Sequence, residues 1–176
     1  MTQAYSADPP RKTEVILLNG PSSAGKSSIA RQIEGELKLR EVPSAVISLD
    51  DYLSMSPDEP IWEDDVFEVM PRMCADISAG LGEGKILIVD HVITSPRIYE
   101  ALLGAAAGHG MKTVMVTCPL EVLRSREAVR ADRFPGSAEA SLEYLYPREG
   151  YDLCLDSGGT PPEELAGEIL QFLQIE

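Results

Sequence analysis

Cysteine is scarce in this sequence. Its 176 residues include three, Cys74, Cys118 and Cys154, widely spaced and with no C-x-x-C pair or Cys/His cluster beside them. That excludes a cysteine-based zinc site and a disulfide framework, and it fits a reducing cytoplasm. Cys118 and Cys154 fall in apolar stretches and are expected as small buried hydrophobes rather than reactive thiols. Long apolar runs are missing too: none approaches the roughly 20 residues that span a bilayer, so no membrane partner is expected. Residues 1–13 lack the basic-then-apolar build of a signal peptide and carry Asp8-Pro9-Pro10, which reads as a flexible tail ahead of one domain at 14–176. Positive charge is sparse. Against 29 Asp and Glu stand 15 Lys and Arg, a formal net charge of −14. No nucleic-acid partner is expected, because such binding rests on many cationic contacts to phosphate.

What is present is a regular alternation. Short, nearly continuous apolar runs with β-branched members stand at 14–19, 45–49, 85–89, 112–117 and 151–155, the pattern of strands buried on both faces. Between them lie helical patterns. Ile29, Ile33 and Leu37 share one face of a segment from 26 to about 40. A second helix is expected after Ile61-Trp62, kinked or restarted by Pro71, and a third at about 96–107. A fourth opens at Pro119. The last is expected to have Thr160 at its N-cap, Pro161 just inside and Glu163 completing a capping box. Strands alternating with helices predict an α/β fold, a five-stranded mainly parallel sheet with helices on both faces. Two stretches, about 50–61 and 131–150, read as irregular and as candidates for substrate-binding and lid segments.

The first strand runs into Gly20-Pro21-Ser22-Ser23-Ala24-Gly25-Lys26-Ser27, which matches G-x-x-x-x-G-K-[ST] in the strand-before, helix-after setting that the motif requires. Such a loop turns its backbone N–H groups toward phosphate oxygens, with Ser28 continuing into the helix. Lys26 would reach the β- and γ-phosphates of ATP and Ser27 would ligate Mg²⁺. The expected architecture is thus the three-layer P-loop NTPase fold.

In a parallel sheet the ligand crevice lies beyond the carboxyl ends of the strands. Asp50 and Asp90 end strands there. Asp90, after Ile-Leu-Ile-Val, has the pattern of a Walker B aspartate that holds Mg²⁺, while Asp50 is placed to accept a hydrogen bond from a substrate hydroxyl and take its proton. Either residue alone would serve equally well as a turn former. Asp51 reads as an exposed neighbour, and His91 as either a substrate contact or a packing residue. Arg124, Arg126, Arg130 and Arg133 crowd into ten residues of an acidic chain. Helical spacing would put Arg126, Arg130 and Arg133 on one face, free to meet phosphate oxygens; the alternative is ion pairing with Glu121, Glu127 and Asp132. Tyr52, Trp62 and Phe67 are candidates for apolar contact with an acceptor. Asp58, Glu59, Glu63, Asp64 and Asp65 would favour a neutral or cationic one, unless they form an ordinary solvated face.

Taken together, residues 18–27, the strand-ending Asp50, Ile-Leu-Ile-Val-Asp90, the stretch from Val116-Thr117-Cys118 to Arg126-Glu127, Arg130 and Asp132-Arg133, and Arg148-Glu149-Gly150-Tyr151-Asp152 resemble the chloramphenicol phosphotransferase group of P-loop kinases. That group lies within the wider nucleoside- and shikimate-kinase-like set. The resemblance implies an ATP- and Mg²⁺-dependent cytoplasmic kinase acting on a hydroxyl of a small molecule, an antibiotic or related compound, with a lid at about 126–147. It further implies Asp50 as base, Arg126 stacked on adenine, and Arg133 reaching the transferring phosphate beside Arg130. Two features differ from the group's pattern. His91 stands where an acidic residue often follows the Walker B aspartate, and 51–73 does not match. A metabolic kinase of gluconate, shikimate or nucleoside type, and a toxin-like or regulatory nucleotide-binding protein, are the competing readings.

Overall fold

The computed structural model describes residues 12–175; the expected tail lies outside them apart from Lys12 and Thr13. Five strands, β1 (Thr13–Asn19), β2 (Ser44–Ser48), β3 (Ile86–His91), β4 (Gly110–Thr117) and β5 (Leu153–Asp156), form one sheet in the order β2-β3-β1-β4-β5. Every pairing is parallel, as the doubly apolar runs require. The helices are α1 (Lys26–Leu39), α2 (Glu63–Gly82), α3 (Pro96–Ala105), α4 (Leu120–Ala128), α5 (Ser137–Tyr144) and α6 (Pro162–Phe172).

Strand side chains alternate between two cores. Ile16, Leu18, Ile86 and Ile88 pack with Ile29, Ile33 and Leu37 of α1 and Leu165 and Ile169 of α6 on one face. Val15, Leu17, Leu87 and Val89 pack with Met70, Met73 and Ile77 of α2 and Ile98 and Leu102 of α3 on the other. The same alternation decides where polar side chains point at the carboxyl end. Ser48 and Asp90 fall on the α1 face, Asn19 and His91 on the α2/α3 face. No helix among the described residues is long and apolar enough to cross a membrane.

Several local expectations change. Pro71 does not restart α2, which runs unbroken through it; it sits in the helix interior at an exposed position, where water can take the Phe67 carbonyl that it leaves free. The start is set by Glu63, Asp64 and Asp65 in the first turn, with Asp65 Oδ2 accepting the Trp62 N–H at 2.7 Å. The capping box expected at Thr160 is absent: Pro161 is the N-cap and Pro162 the first helical residue, because a residue preceding proline is kept out of the α region. Cys118 is buried as expected, but Cys154 is exposed, since β5 is an edge strand with helix over only one face. The stretch 131–150 is not wholly irregular. It contains α5, whose N-terminus is held by Glu127, its two carboxylate oxygens accepting the N–H groups of Gly136 (2.9 Å) and Ala138 (2.7 Å).

Candidate active site

The loop between β1 and α1 is shaped by close approach. A Cβ at Gly20 would lie 2.2 Å from the Val116 carbonyl oxygen, and Gly25 has a φ of 89° that other residues adopt with strain. Ser23 holds a left-handed φ of 65° without being glycine, a cost of about 1–3 kcal/mol that clusters at functional sites. Ser157, just past β5, supports the loop from beneath, its hydroxyl donating to the Ala24 carbonyl at 2.6 Å.

Within this frame Lys26 is buried, its Nζ donating to the Pro21 carbonyl at 2.9 Å. Burial pushes its pKa down, and the carboxylates of Asp90 and Asp50 oppose that shift. Ser27 Oγ donates to Asp90 Oδ2 at 2.6 Å, and Ser48 Oγ reaches the same oxygen at 3.2 Å. Asp50 is not a strand residue: β2 ends at Ser48, and Asp50 follows in a 3₁₀ turn, Leu49–Asp51, at the sheet's carboxyl end. The Arg133 Nη2 donates to Asp50 Oδ2, and Arg130 Nη2 lies 3.9 Å from the same atom.

The arginines do not share a helical face. Helix α4 stops at Ala128, so Arg130 and Arg133 lie in the following loop and Arg126 alone stays on the helix. Arg126 turns to the opposite side of the phosphate loop, donating from Nη2 to the Ser157 carbonyl (2.6 Å) and from Nη1 to Ser157 Oγ (3.2 Å). There it borders a cavity of about 260 Å³ with Gly25, Ser28, Ile29, Thr160 and Leu165. Ion pairing is real but partial: Asp132 binds Arg130 at 3.0 Å, and Arg124 pairs with Glu139 at 2.7 Å. In α5, Ser141 Oγ accepts the Ser22 N–H at 2.9 Å. Two residues of the segment 126–147 therefore touch the phosphate loop, Arg126 at the Ala24 carbonyl (3.4 Å) and Ser141 at the Ser22 N–H.

Tyr52, Trp62 and Phe67 do not join this cluster. Tyr52 donates to Asp76 Oδ2 on α2 at 2.6 Å, and burial followed by that carboxylate pushes its pKa up. Trp62 is 68% exposed, and the Phe67 ring lies beneath the Arg97 guanidinium, 4.2 Å from centroid to Cζ. Arg97 also binds Glu63 and Asp64, which takes two carboxylates out of the expected acidic rim. The Glu63 carboxyl is held below its usual range by Arg97 and then by Ser95.

Asn19 is not singled out by the sequence as a site residue. Its Oδ1 accepts the Ile93 N–H (2.9 Å), and its Nδ2 donates to the Tyr146 carbonyl (2.9 Å) and the Tyr151 hydroxyl (2.7 Å). It ties the strand end before the phosphate loop to the loop after β3 and to residues 146–151. The only signal for it was a polar residue closing an apolar strand. Ser141 and Ser157 had no signal at all.

Among the described residues, the buried side-chain nitrogen and oxygen atoms that lack a hydrogen-bond partner are Ser23 Oγ, both ring nitrogens of His91, and Nε and Nη1 of Arg133. Asp132 lies 3.7 Å from that Nη1, too far for a hydrogen bond. All three residues stand at the carboxyl end of the sheet, around Lys26 and Asp50.

A parallel sheet in this order, with a phosphate loop between its central strand and the first helix, is the fold of the P-loop kinases, and the protein is a phosphotransferase of that class. It belongs to the chloramphenicol phosphotransferase-like family, whose model matches residues 13–174. A protein of Mycobacterium tuberculosis strain H37Rv, named by inference an O-phosphotransferase, is 28% identical over 92% of this chain and 82% of its own length. Among solved structures, a sugar kinase from Janibacter sp. HTCC2649 superposes with a TM-score of 0.72 at 20% identity, covering 93% of this chain and 95% of its own. The Mycobacterium tuberculosis APS kinase bound to AMPPNP and APS gives 0.71 at 21% identity, covering 94% and 99%.

Proposed function

We propose that the protein moves the γ-phosphoryl group of ATP onto a hydroxyl of a small molecule in the cytoplasm, with Asp50 as base. The observation that carries this is the convergence of buried Lys26 and Arg133 around Asp50, in the turn that follows β2, with two N–H-bearing nitrogens of Arg133 left unpartnered. Buried cationic donors without partners suit an anion with several oxygens.

Residues 20–28 would cradle the phosphates, with Lys26 leaving the Pro21 carbonyl for the β- and γ-oxygens. Arg126 would lie against the adenine at the cavity beside Gly25 and Ser28. Asp50 would accept the acceptor's O–H and take its proton as the new O–P bond forms and the bond to the bridging oxygen of ADP breaks. Arg133, passing from Asp50 to the transferring group, and Arg130 would neutralise the charge spread over it. Ser27 Oγ and Asp90 fit Mg²⁺: they are hard oxygen donors already brought within 2.6 Å of each other. Mg²⁺ held there would take its other ligands from water and phosphate. When bound there, Mg²⁺ would supply positive charge to offset that of the terminal phosphates.

Lys26→Ala and Ser27→Ala should each cripple ATP use, the first by removing the charge on the terminal phosphates and the second a metal ligand. ADP release at the wild-type rate in both would remove the phosphate-loop assignment. Family membership supports an antibiotic or related natural product as acceptor, phosphorylated for resistance or self-protection. The deciding experiment is mass spectrometry of a hydroxyl-compound library after incubation with the protein and Mg·ATP, read as the gain of one phosphoryl group. A sugar-like acceptor in place of an antibiotic would turn the assignment to a metabolic kinase, and ATP turnover with no acceptor modified would turn it to a regulatory protein. The acceptor should be neutral or cationic, because Asp58, Glu59 and Asp65 remain on the exposed surface before and at the start of α2. A best acceptor carrying a carboxylate or phosphate would count against that preference.

A further inference from the structure

The peptide between Ala24 and Gly25 can face either way. Gly25 has a φ of 89° and no Cβ, so its own side of the link resists rotation little. A trans peptide is planar, with its C=O and N–H pointing in opposite directions. Turned one way, this one offers an N–H to a phosphate oxygen; turned the other, it offers a carbonyl oxygen that repels one. Among the described residues no hydrogen bond takes the Gly25 N–H, whereas the buried Ala24 carbonyl is held by Ser157 Oγ at 2.6 Å, with Arg126 Nη1 at 3.4 Å. The second contact is too long to hold the carbonyl by itself.

Ser157 is buried and fixed at each of its polar atoms. Its N–H donates to the Thr117 carbonyl (2.9 Å), its carbonyl accepts Arg126 Nη2 (2.6 Å), and its Oγ accepts Arg126 Nη1 (3.2 Å). A guanidinium only donates, so the hydroxyl hydrogen is left for a carbonyl, and Ala24 at 2.6 Å is nearer than Thr117 at 3.2 Å. The chain then packs so closely on the turn before α4 that a Cβ at Gly158 would lie 2.7 Å from Pro119 Cδ. Arg126 thereby orients the hydroxyl, and the end of β5 carries it to the phosphate loop.

Resting on the kinase reading above, we propose that Ser157 is a positioning residue for the nucleotide phosphates: by pinning the Ala24 carbonyl it keeps the Gly25 N–H turned into the phosphate loop. Without the hydroxyl, the buried carbonyl loses its one short hydrogen bond and the peptide is free to turn toward another donor. A turned peptide would set its carbonyl oxygen against the phosphates in place of the N–H. The cavity bordered by Arg126, Thr160 and Leu165 lies on the Ser157 side of this peptide, and the Gly25 N–H points away from it. A base seated in that cavity is therefore indifferent to the N–H, and the effect of Ser157 falls on the phosphates alone.

The test measures the affinities of Mg·ADP and of adenosine for wild-type, Ser157→Ala and Ser157→Cys proteins. Ser157→Ala should weaken Mg·ADP by about tenfold or more, the worth of a hydrogen bond to a charged group, and leave adenosine within about twofold. Ser157→Cys is nearly isosteric and keeps a weak S–H donor, so it should lower the ratio of the two affinities several-fold, less than alanine does. A merely structural role would weaken both ligands together and leave the ratio in place. Amide spectra of the wild type give a second readout that needs no variant to fold: the Gly25 N–H proton should move downfield with Mg·ADP and stay in place with adenosine. An unchanged ratio in Ser157→Ala, or in Ser157→Cys should the alanine variant not fold, would overturn this inference and leave the kinase reading intact. So would a Gly25 amide that Mg·ADP does not move. Failure of the wild type to bind Mg·ADP at all would overturn both.

Discussion

Asp50→Asn is expected to lower kcat for phosphoryl transfer by about a hundredfold to ten-thousandfold while ATP affinity stays within a few-fold, because a general base of this kind contributes that much. The amide keeps the carboxylate's shape and removes its proton affinity. Asp50 lies one turn beyond β2, on the side of the phosphate loop away from the cavity beside Gly25, so its loss should be confined to the acceptor's half of the reaction. The substitution also deprives buried Arg133 of its hydrogen-bonded carboxylate. Because Asp50 is 38% exposed, solvent moderates that loss, and the melting temperature should fall by a few degrees at most. Asp90→Asn should behave differently. Asp90 accepts from Ser27 and faces α1, so its amide should raise the Mg²⁺ concentration needed for activity, and added metal should restore part of it. A titration of both variants against Mg²⁺ decides between the roles: recovery of Asp50→Asn at high Mg²⁺ would give the metal role to Asp50 and leave the base unidentified.

These roles were legible in the sequence to different depths. The phosphate loop, its flanking strand and helix, and all five strands could be read because each is a local pattern: a fixed spacing of Gly, Lys and Ser, or a continuous apolar run. Asp50 and Asp90 could be singled out as candidates because a carboxylate closing such a run is itself local. The arrangement of the arginines was not. Their spacing fits a helix through residue 133, but Phe134-Pro135-Gly136 is followed by a new helix whose N-terminus is capped by Glu127, and α4 ends at Ala128. A side chain reaching across nine residues to cap another helix leaves no periodic trace. Asn19, Ser141 and Ser157 act through partners as far as 133 residues away, which only the folded sheet brings near. The pairing of the acidic cluster escapes the sequence for a similar reason. Glu63 and Asp64 share Arg97, a residue on another helix. For His91 the sequence leaves substrate contact and packing open, since a single histidine after an aspartate has no pattern to read; that both ring nitrogens are buried without a partner is visible only in the fold.

Arg133→Ala is expected to reduce kcat by about a thousandfold or more at saturating acceptor, with a much smaller change in nucleotide binding, as loss of an arginine acting on the transferring phosphoryl group does. Its side chain is 5% exposed, and of its donors only Nη2 has a hydrogen-bond partner. A phosphoryl group with three equatorial oxygens can take the remaining nitrogens, and a desolvated setting strengthens each such bond. Arg133→Lys keeps the charge but not the fork, and should recover only a small part of the rate. The rival explanation is that Arg133 acts only by holding Asp50 in place. A double-mutant cycle separates the two. If Arg133 works solely through Asp50, then Asp50→Asn with Arg133→Ala should be no slower than Asp50→Asn alone. If it works on the phosphoryl group, the double variant should lose a further large factor. Should Arg133→Ala stay within a few-fold of wild type, the role passes to Arg130. Its Nη2 is already 3.9 Å from Asp50, and its exposed pairing with Asp132 can be given up at little cost.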